Sequence, residues 1–193
     1  MKVILINGSR REKGCTFTAL TEIAQELDKQ GIESEIIHVG PSAVNGDIGK
    51  CVKAVGEAMR SADGLIIGSP VYYASPSGEV IAFLDRLFWN YGKEMAYKPG
   101  AAIVSARRGG TTASFDVLNK YFTITQMPVV SSQYWNMVHG NTPDEVRQDG
   151  EGLQTMRTLA RNMAWLLKSI QAGKEHGVAL PESEERIGTN FIR

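Results

Sequence analysis

Apolar residues fall along this chain in short unbroken runs, separated by stretches where they recur every three or four positions. The first run is Val3-Ile4-Leu5-Ile6, closed by Asn7-Gly8. A run without polar alternation predicts a strand buried on both faces, as in a parallel sheet covered by helices. Phe17, Leu20, Ile23 and Leu27 follow at helical spacing, and Gly31 ends that helix. Glu33 to Val39 is a second predicted strand. Gly40 to Gly49, with Pro41, is a long connection, and Ile48, Val52, Val55 and Met59 mark one face of a second helix. Leu65 to Gly68 repeats the buried-strand pattern and opens a loop from Ser69 to Ser77. Val80, Ile81, Leu84, Leu87 and Phe88 fit a third helix, Ala101 to Ser105 a fourth strand, and Phe115, Leu118 and Phe122 a fourth helix. Pro128 to Ser131 is predicted as the fifth strand. Leu153 to Ile170 carries the clearest amphipathic pattern, the fifth helix.

Five strands alternating with five helices predict an α/β fold with a doubly wound parallel sheet and helices on both faces. In such sheets ligands bind beyond the carboxyl ends of the strands. The loops after strands one, three and four should therefore converge on one functional edge. The alternation leaves the strand order open. One domain over 1–172 is expected, with a polar tail over 173–193.

Composition narrows the function. The chain has 193 residues, 21 basic and 21 acidic side chains, and 42% hydrophobic residues. That is enough chain to bury roughly 70% of its unfolded surface. Zero net charge argues against nucleic acid as the main partner, because no basic excess exists to displace counterions. No run approaches the ~20 apolar residues that cross a bilayer, and the start is too short for a signal peptide. A cytoplasmic protein without membrane contact is expected. Two cysteines, Cys15 and Cys51, cannot form a disulfide scaffold, and the three histidines show no ligand-like spacing, so no metal site is expected.

The loops carry the chemistry. Gly8-Ser9-Arg10-Arg11-Glu12-Lys13-Gly14-Cys15-Thr16 joins a strand to a helix start, with hydroxyls, a cation and small residues that let N–H groups turn inward. Those features suit a terminal phosphate. It is neither a Walker A loop nor the dinucleotide Gly-x-Gly-x-x-Gly. Thr21, six residues after Cys15, stands where a tyrosine phosphatase loop needs arginine. Pro70-Val71-Tyr72-Tyr73-Ala74-Ser75-Pro76 offers a stiff aromatic wall for a planar ligand. Ala106-Arg107-Arg108-Gly109-Gly110-Thr111 supplies glycines for close backbone approach and arginines for an electron-rich edge or a phosphate.

Taken in this order, the loops resemble those of the flavodoxin-like NAD(P)H-dependent FMN reductases and their relatives, the iron–sulfur flavoproteins. The first loop is similar to the family pattern Gly-Ser-x-Arg-x-x-Gly-x-Thr. Gly68-Ser-Pro-Val-Tyr-Tyr, with Gly78 and Ala82-Phe83-Leu84-Asp85-Arg86, is similar to its other signature. The likeness covers roughly residues 1–170. It implies a five-stranded sheet ordered 2-1-3-4-5 with FMN between strands one and three. Ser9, Arg11, Cys15, Thr16 and Phe17 would surround the FMN phosphate. Pro70, Val71, Tyr72, Tyr73 and Ser75 would border the ribityl chain and ring, and Ala106, Arg107, Arg108, Gly109, Gly110 and Thr111 would close the other ring edge. Cys15 stands where the family loop often has asparagine, so its backbone N–H is expected to matter rather than its thiol.

The resemblance further implies an oxidoreductase in which NADH or NADPH reduces FMN and a small-molecule acceptor takes the electrons. Quinones, free flavins, nitro or azo aromatics and metal ions are the candidate acceptors. No acid–base residue is assigned, because hydride transfer to a flavin does not require one. A flavodoxin-like electron carrier is the alternative, although such carriers usually have acidic surfaces and this chain is balanced. A homodimer or homotetramer is implied, with the tail either loose or against a partner subunit, and with Phe88, Trp89 and Tyr91, placed at or after the end of the third helix, as interface candidates. Tyr134-Trp135-Asn136-Met137-Val138-His139-Gly140 should reach the functional edge, with no base or metal partner evident beside His139. One departure stands out. The iron–sulfur relatives carry four cysteines between strand two and the next helix, where this chain has only Cys51, so no iron–sulfur cluster is expected.

Overall fold

The computed structural model describes residues 1–185 and 187–191. In chain order its elements are β1 (Lys2–Asn7), α1 (Cys15–Lys29), β2 (Glu33–His38), α2 (Ser42–Asn45), α3 (Ile48–Ser61), β3 (Gly64–Tyr72) and β4 (Ser75–Pro76). They continue with α4 (Gly78–Met95), β5 (Gly100–Ala106), α5 (Thr111–Ile124), β6 (Met137–His139), α6 (Pro143–Gln148) and α7 (Gly150–Glu175). The parallel strands lie in the order β2-β1-β3-β5-β6, and the short β4 pairs antiparallel with the end of β3. Counting only the parallel strands, this is the 2-1-3-4-5 order of a flavodoxin-like sheet.

The unbroken apolar runs bury both faces because successive side chains of a strand point to opposite sides. Ile4, Ile6, Leu65, Ile67, Ala102 and Val104 pack with α3, α4 and α5 in one core cluster. Val3, Leu5, Ile66, Ala101 and Ile103 pack with α1 and α7 in the other. Each fully buried aliphatic side chain contributes about 1.5–3 kcal/mol, so the three central strands anchor the fold.

Four expectations need correction. The fifth strand is Met137–His139, not Pro128–Ser131. The earlier segment makes only an isolated bridge between Val129 and Gly100, at the start of β5. Pro128 lacks an N–H for a continuous ladder, and the chain bulges outward before rejoining β5 at Val104, Ser105 and Ala106. Within the bulge, buried Asn136 bonds Ala102 O through its amide at 3.0 Å and accepts from Val104 N, taking over part of the ladder. The long loop after strand three is in part strand: Pro70, Val71 and Tyr72 end β3, and Ser75 and Pro76 form its hairpin partner. Ser77 then caps the next helix by accepting from Val80 N at 3.3 Å. The predicted Gly40–Gly49 connection contains a short helix, α2, and a second short helix, α6, precedes the long C-terminal one. Phe88, Trp89 and Tyr91 lie inside α4 rather than after it; Phe88 is buried, Tyr91 packs on the core, and Trp89 is 89% exposed.

The helix α7 ends at Glu175, three residues past the predicted domain boundary, and the described residues after it form neither helix nor strand. Residues 186, 192 and 193 of that tail lie outside the described residues. Among the described residues no helix is long and apolar enough to cross a membrane.

Candidate functional site

The carboxyl ends of β1, β3, β5 and β6 open onto one cleft of about 190 Å³. Ser9, Arg11, Gly14, Cys15, Thr16, Pro70, Val71, Tyr72, Ser105, Ala106, Arg107, Gly140 and Asn141 line it. It forms where the crossover direction reverses, since β1 leads to β2 on one side and β3 lies on the other.

The first loop is held from below. Asn7, fully buried at the end of β1, accepts from Ser9 N at 3.1 Å and donates to Glu12 O at 2.8 Å. Ser9 Oγ accepts from Arg11 N at 3.2 Å. The Ser9 carbonyl accepts from His38 Nε2 at 2.7 Å, so His38 braces the loop from β2. Gly40 passes so close that a Cβ there would overlap the Ser9 carbonyl. Ser77 adds a bond from the far side, its hydroxyl donating to Gly8 O at 3.1 Å.

Gly14 caps α1 without a side chain, and the first-turn N–H groups of Cys15, Thr16 and Phe17 find no oxygen acceptor among the described residues. Free N–H groups at a helix start, with the helix dipole behind them, attract an anion. Arg11 stands over them, and among the described residues neither it nor Arg107 pairs with a carboxylate; Arg10 instead approaches Glu79 at 3.6 Å. Thr16 is buried and its hydroxyl meets Ser105 at 2.8 Å. This donor set, hydroxyls and free N–H groups under a guanidinium, fits a phosphate monoester such as that of FMN. The Cys15 thiol is pushed up by burial, so at neutral pH it is protonated and donates to Gly140 O at 3.6 Å. The thiol thus fastens β6 to α1, a role the loop sequence did not suggest.

The second loop is a tight hairpin whose two-residue tip, Tyr73-Ala74, has φ of 51° and 58°. Positive φ at both central positions is the type I′ geometry, normally filled by Asn-Gly. Gly110, at φ 97°, lies directly against the tip, where a Cβ would come within 2.7 Å of Ala74 Cα. Tyr72 stands at the cleft with 43% of its surface exposed, and Tyr73 projects wholly into solvent.

Of the sequence-predicted residues, the structure gathers Ser9, Arg11, Cys15, Thr16, Pro70, Val71, Tyr72, Ala106 and Arg107 around the cleft. Phe17, Tyr73, Ser75, Arg108, Gly109, Gly110 and Thr111 do not line it. Phe17 is the third residue of α1 and only its N–H faces the anion-attracting end. Arg108 and Gly109 are exposed, and Thr111 is buried as the first residue of α5. Gly14, Ser105, Gly140 and Asn141 were missed. Ser105 was read only as strand, and Gly140 was noted only within an aromatic segment. The aromatics of that segment lie elsewhere: the Tyr134 and Trp135 rings meet tilted at 58°, with centroids 4.9 Å apart. His139 and Tyr134 line a separate hollow with Asp149, whose carboxylate accepts from His139 N at 2.6 Å and lies 3.9 Å from Nδ1. A carboxylate partner for His139 therefore exists, ten residues along the chain.

Comparison with known proteins agrees with the geometry. Residues 1–142 match the sequence profile of the NADPH-dependent FMN reductase family. An iron–sulfur flavoprotein of Methanocaldococcus jannaschii is 31% identical over 192 residues, covering 89% of this chain and all of that protein. One from Methanosarcina thermophila is 27% identical over 198 residues, covering 91% of this chain and all of its own. Among solved structures, an NADH:FMN oxidoreductase in its apo form superposes with a TM-score of 0.66 at 22% identity, over 86% of this chain and 89% of its own. An archaeal flavodoxin superposes at 0.65 and 16% identity, over 87% and 99%. The relatives' names include a cluster that this chain's two cysteines do not fit: a four-iron cluster needs four thiolates or close substitutes, and among the described residues no group of three or more His, Cys, Asp or Glu is placed to hold a metal ion. With a flavodoxin-like sheet, a phosphate-suited cleft at its switch point and a family profile spanning most of its length, the chain belongs to the NADPH-dependent FMN reductase family and is an FMN-binding oxidoreductase.

Proposed function

We propose that this protein is an FMN-dependent NAD(P)H oxidoreductase that passes electrons from NADH or NADPH to a small acceptor such as a quinone or a free flavin. The observation that carries this reading is the cleft itself. A capless helix start under Arg11 lies at one end, and Tyr72 and Arg107 stand along its walls.

Bound FMN would supply the chemistry, accepting a hydride and releasing an electron pair. The protein's part is placement. Ser9 Oγ, the N–H groups of Cys15, Thr16 and Phe17, and the Arg11 guanidinium hold the phosphate. Pro70, Val71 and Tyr72 present a stiff wall for the ribityl chain and ring, with Ser75 and Tyr73 in the hairpin behind it. Ala106 and Arg107 border the opposite side, where a guanidinium stabilises negative charge that develops on a reduced ring. Gly110 holds the hairpin tip at its present height, and Gly109, Arg108 and Thr111 complete the turn. No side chain is assigned to proton transfer.

A homodimer or homotetramer fits the exposed Trp89 on α4, at 89%, and Ile124 at the end of α5, at 80%. Packing such side chains against a partner subunit would remove their apolar surface from water. Light scattering coupled to size exclusion reads the mass directly; a monomer at micromolar concentration contradicts this part.

The test of function is a visible spectrum after FMN reconstitution and desalting, repeated anaerobically with NADH and with NADPH. Retained flavin bleached by either nucleotide supports the reductase and names its donor. Flavin that only dithionite reduces makes the protein a carrier. Absence of flavin binding, even at high FMN, contradicts the reading.

A further inference from the structure

The fourth wall of the cleft, Gly140-Asn141, comes from outside the three loops that mark the family. Four contacts fix it. Gly140 N continues the β5–β6 ladder to Ala106 O at 3.0 Å. The Gly140 carbonyl accepts from the Cys15 thiol at 3.6 Å. Asn141 N donates to Glu145 Oε2 at 2.5 Å, and Glu145 N in turn donates to Thr142 Oγ1 at 3.2 Å, the N-cap bond of α6. Gly140 also packs against Val146, where a Cβ would come within 2.7 Å of the backbone nitrogen. The wall is therefore built rather than loose, and its contact with Cys15 sets it beside the first turn of α1, at the phosphate end.

Asn141 lines the cleft there, while its backbone N–H is already taken by Glu145. Asn141 is exposed, and among the described residues its carboxamide makes no hydrogen bond, so the amide group is available to a ligand. An amide Nδ2 has two N–H donors and suits a phosphate oxygen. The same bond turns the Glu145 carboxylate back on the wall, so that its charge is engaged by a donor.

We infer that Asn141 is a specificity-determining residue of the cofactor site, its carboxamide donating to the FMN phosphate from beside the first turn of α1 and favouring FMN over riboflavin. The inference rests on the FMN reading above. Cys15 and Glu145 act through Asn141 as positioning residues. The phosphate then gains a side-chain donor next to the helix N–H groups, and a flavin without it gains nothing from Asn141.

The test is the affinity of apo-protein for FMN and for riboflavin, read by quenching of flavin fluorescence, in wild type, Asn141→Asp and Asn141→Ala. Asn141→Asp keeps the shape and sets a carboxylate against the phosphate. It is expected to weaken FMN at least about 10-fold and to leave riboflavin within about twofold, since charged contacts exceed neutral ones. Asn141→Ala is expected to weaken FMN several-fold, again with riboflavin unchanged. FMN affinity equal to wild type in Asn141→Asp overturns the inference. So does a parallel loss of FMN and riboflavin in both variants, which makes Asn141 a structural part of the wall. A wild type that binds neither flavin fails the FMN reading itself, a result distinct from either of these.

Discussion

Thr16 and Ser105 join hydroxyls 2.8 Å apart beneath the cleft, although 89 positions separate them in the chain. The pair ties the first turn of α1 to the end of β5, both of them buried. Replacing one hydroxyl leaves the other buried without its partner, which costs about 1–3 kcal/mol. Ser105→Ala is expected to lower the urea midpoint accordingly and to weaken FMN several-fold, because the first turn of α1 loses its tether. Equilibrium unfolding and flavin titration on one preparation check both; unchanged values in both contradict the coupling.

Arg11 is the cation set over the helix start, and it spends its charge on no carboxylate among the described residues. Arg11→Gln is expected to weaken FMN by about 10-fold or more, the range of a hydrogen bond to a charged group. The variant should also flatten the dependence of FMN affinity on salt, since one screened charge is gone. Titrations at low and high sodium chloride give the answer, and an affinity that keeps the wild-type slope excludes Arg11 from the phosphate.

Gly110 and Ala74 fix the hairpin height together. Gly110→Ala adds a Cβ at φ 97° and within 2.7 Å of Ala74 Cα, so a loss of about 1–3 kcal/mol is expected from strain and overlap. Ala74→Gly should not destabilise, because glycine accepts the left-handed geometry that alanine there resists at about 1–2 kcal/mol. Thermal melts of the two variants should move in different directions or by clearly different amounts. Equal losses would mean the tip is not strained.

Glu26 sits on α1, buried with only 3% of its surface exposed, and is bound by Arg161 at 2.6 Å and Lys29 at 3.1 Å. Burial opposes its ionisation, but the two cations outweigh that and hold the carboxyl below its usual range. A carboxylate whose folded value is lowered stabilises fully above its unfolded value, and that stability is lost as pH falls through the folded value. Stability should therefore drop on the acid side of the ordinary carboxylate range. Glu26→Gln should remove about 1 kcal/mol of that dependence, because the Arg161 end is solvent-screened. Urea titrations across that acid range, wild type against variant, test it; parallel curves contradict the assignment.

Much of this architecture is legible in the chain. Val3 to Ile6, Leu65 to Ile67 and Ala101 to Val104 could only be two-sided strands, since no polar position offers a solvent face. The first loop reads as an anion site because Ser9, Arg11 and Thr16 flank a helix start, and helix geometry alone aims the N–H groups. Errors gathered where local pattern and tertiary demand part. Pro128-Val129-Val130 has strand-like residues, yet the ladder with β5 resumes only at Met137, after Asn136 has filled the gap. The further contact of the Cys15 thiol is not legible in its loop, which gives no sign of Gly140, 125 residues away in the chain.

The sequence by itself determined the alternation of strands and helices, the two buried faces of the sheet and the edge where loops gather. These follow from periodicity and turn chemistry, which act between near neighbours. The tertiary structure alone decided which loop residues face inward, that Tyr73 stands in solvent while Tyr72 meets the cleft, and that Gly140 and Asn141 form a fourth wall. Those outcomes depend on contacts between residues far apart in the chain, where strand register and close packing, rather than local preference, choose the partner.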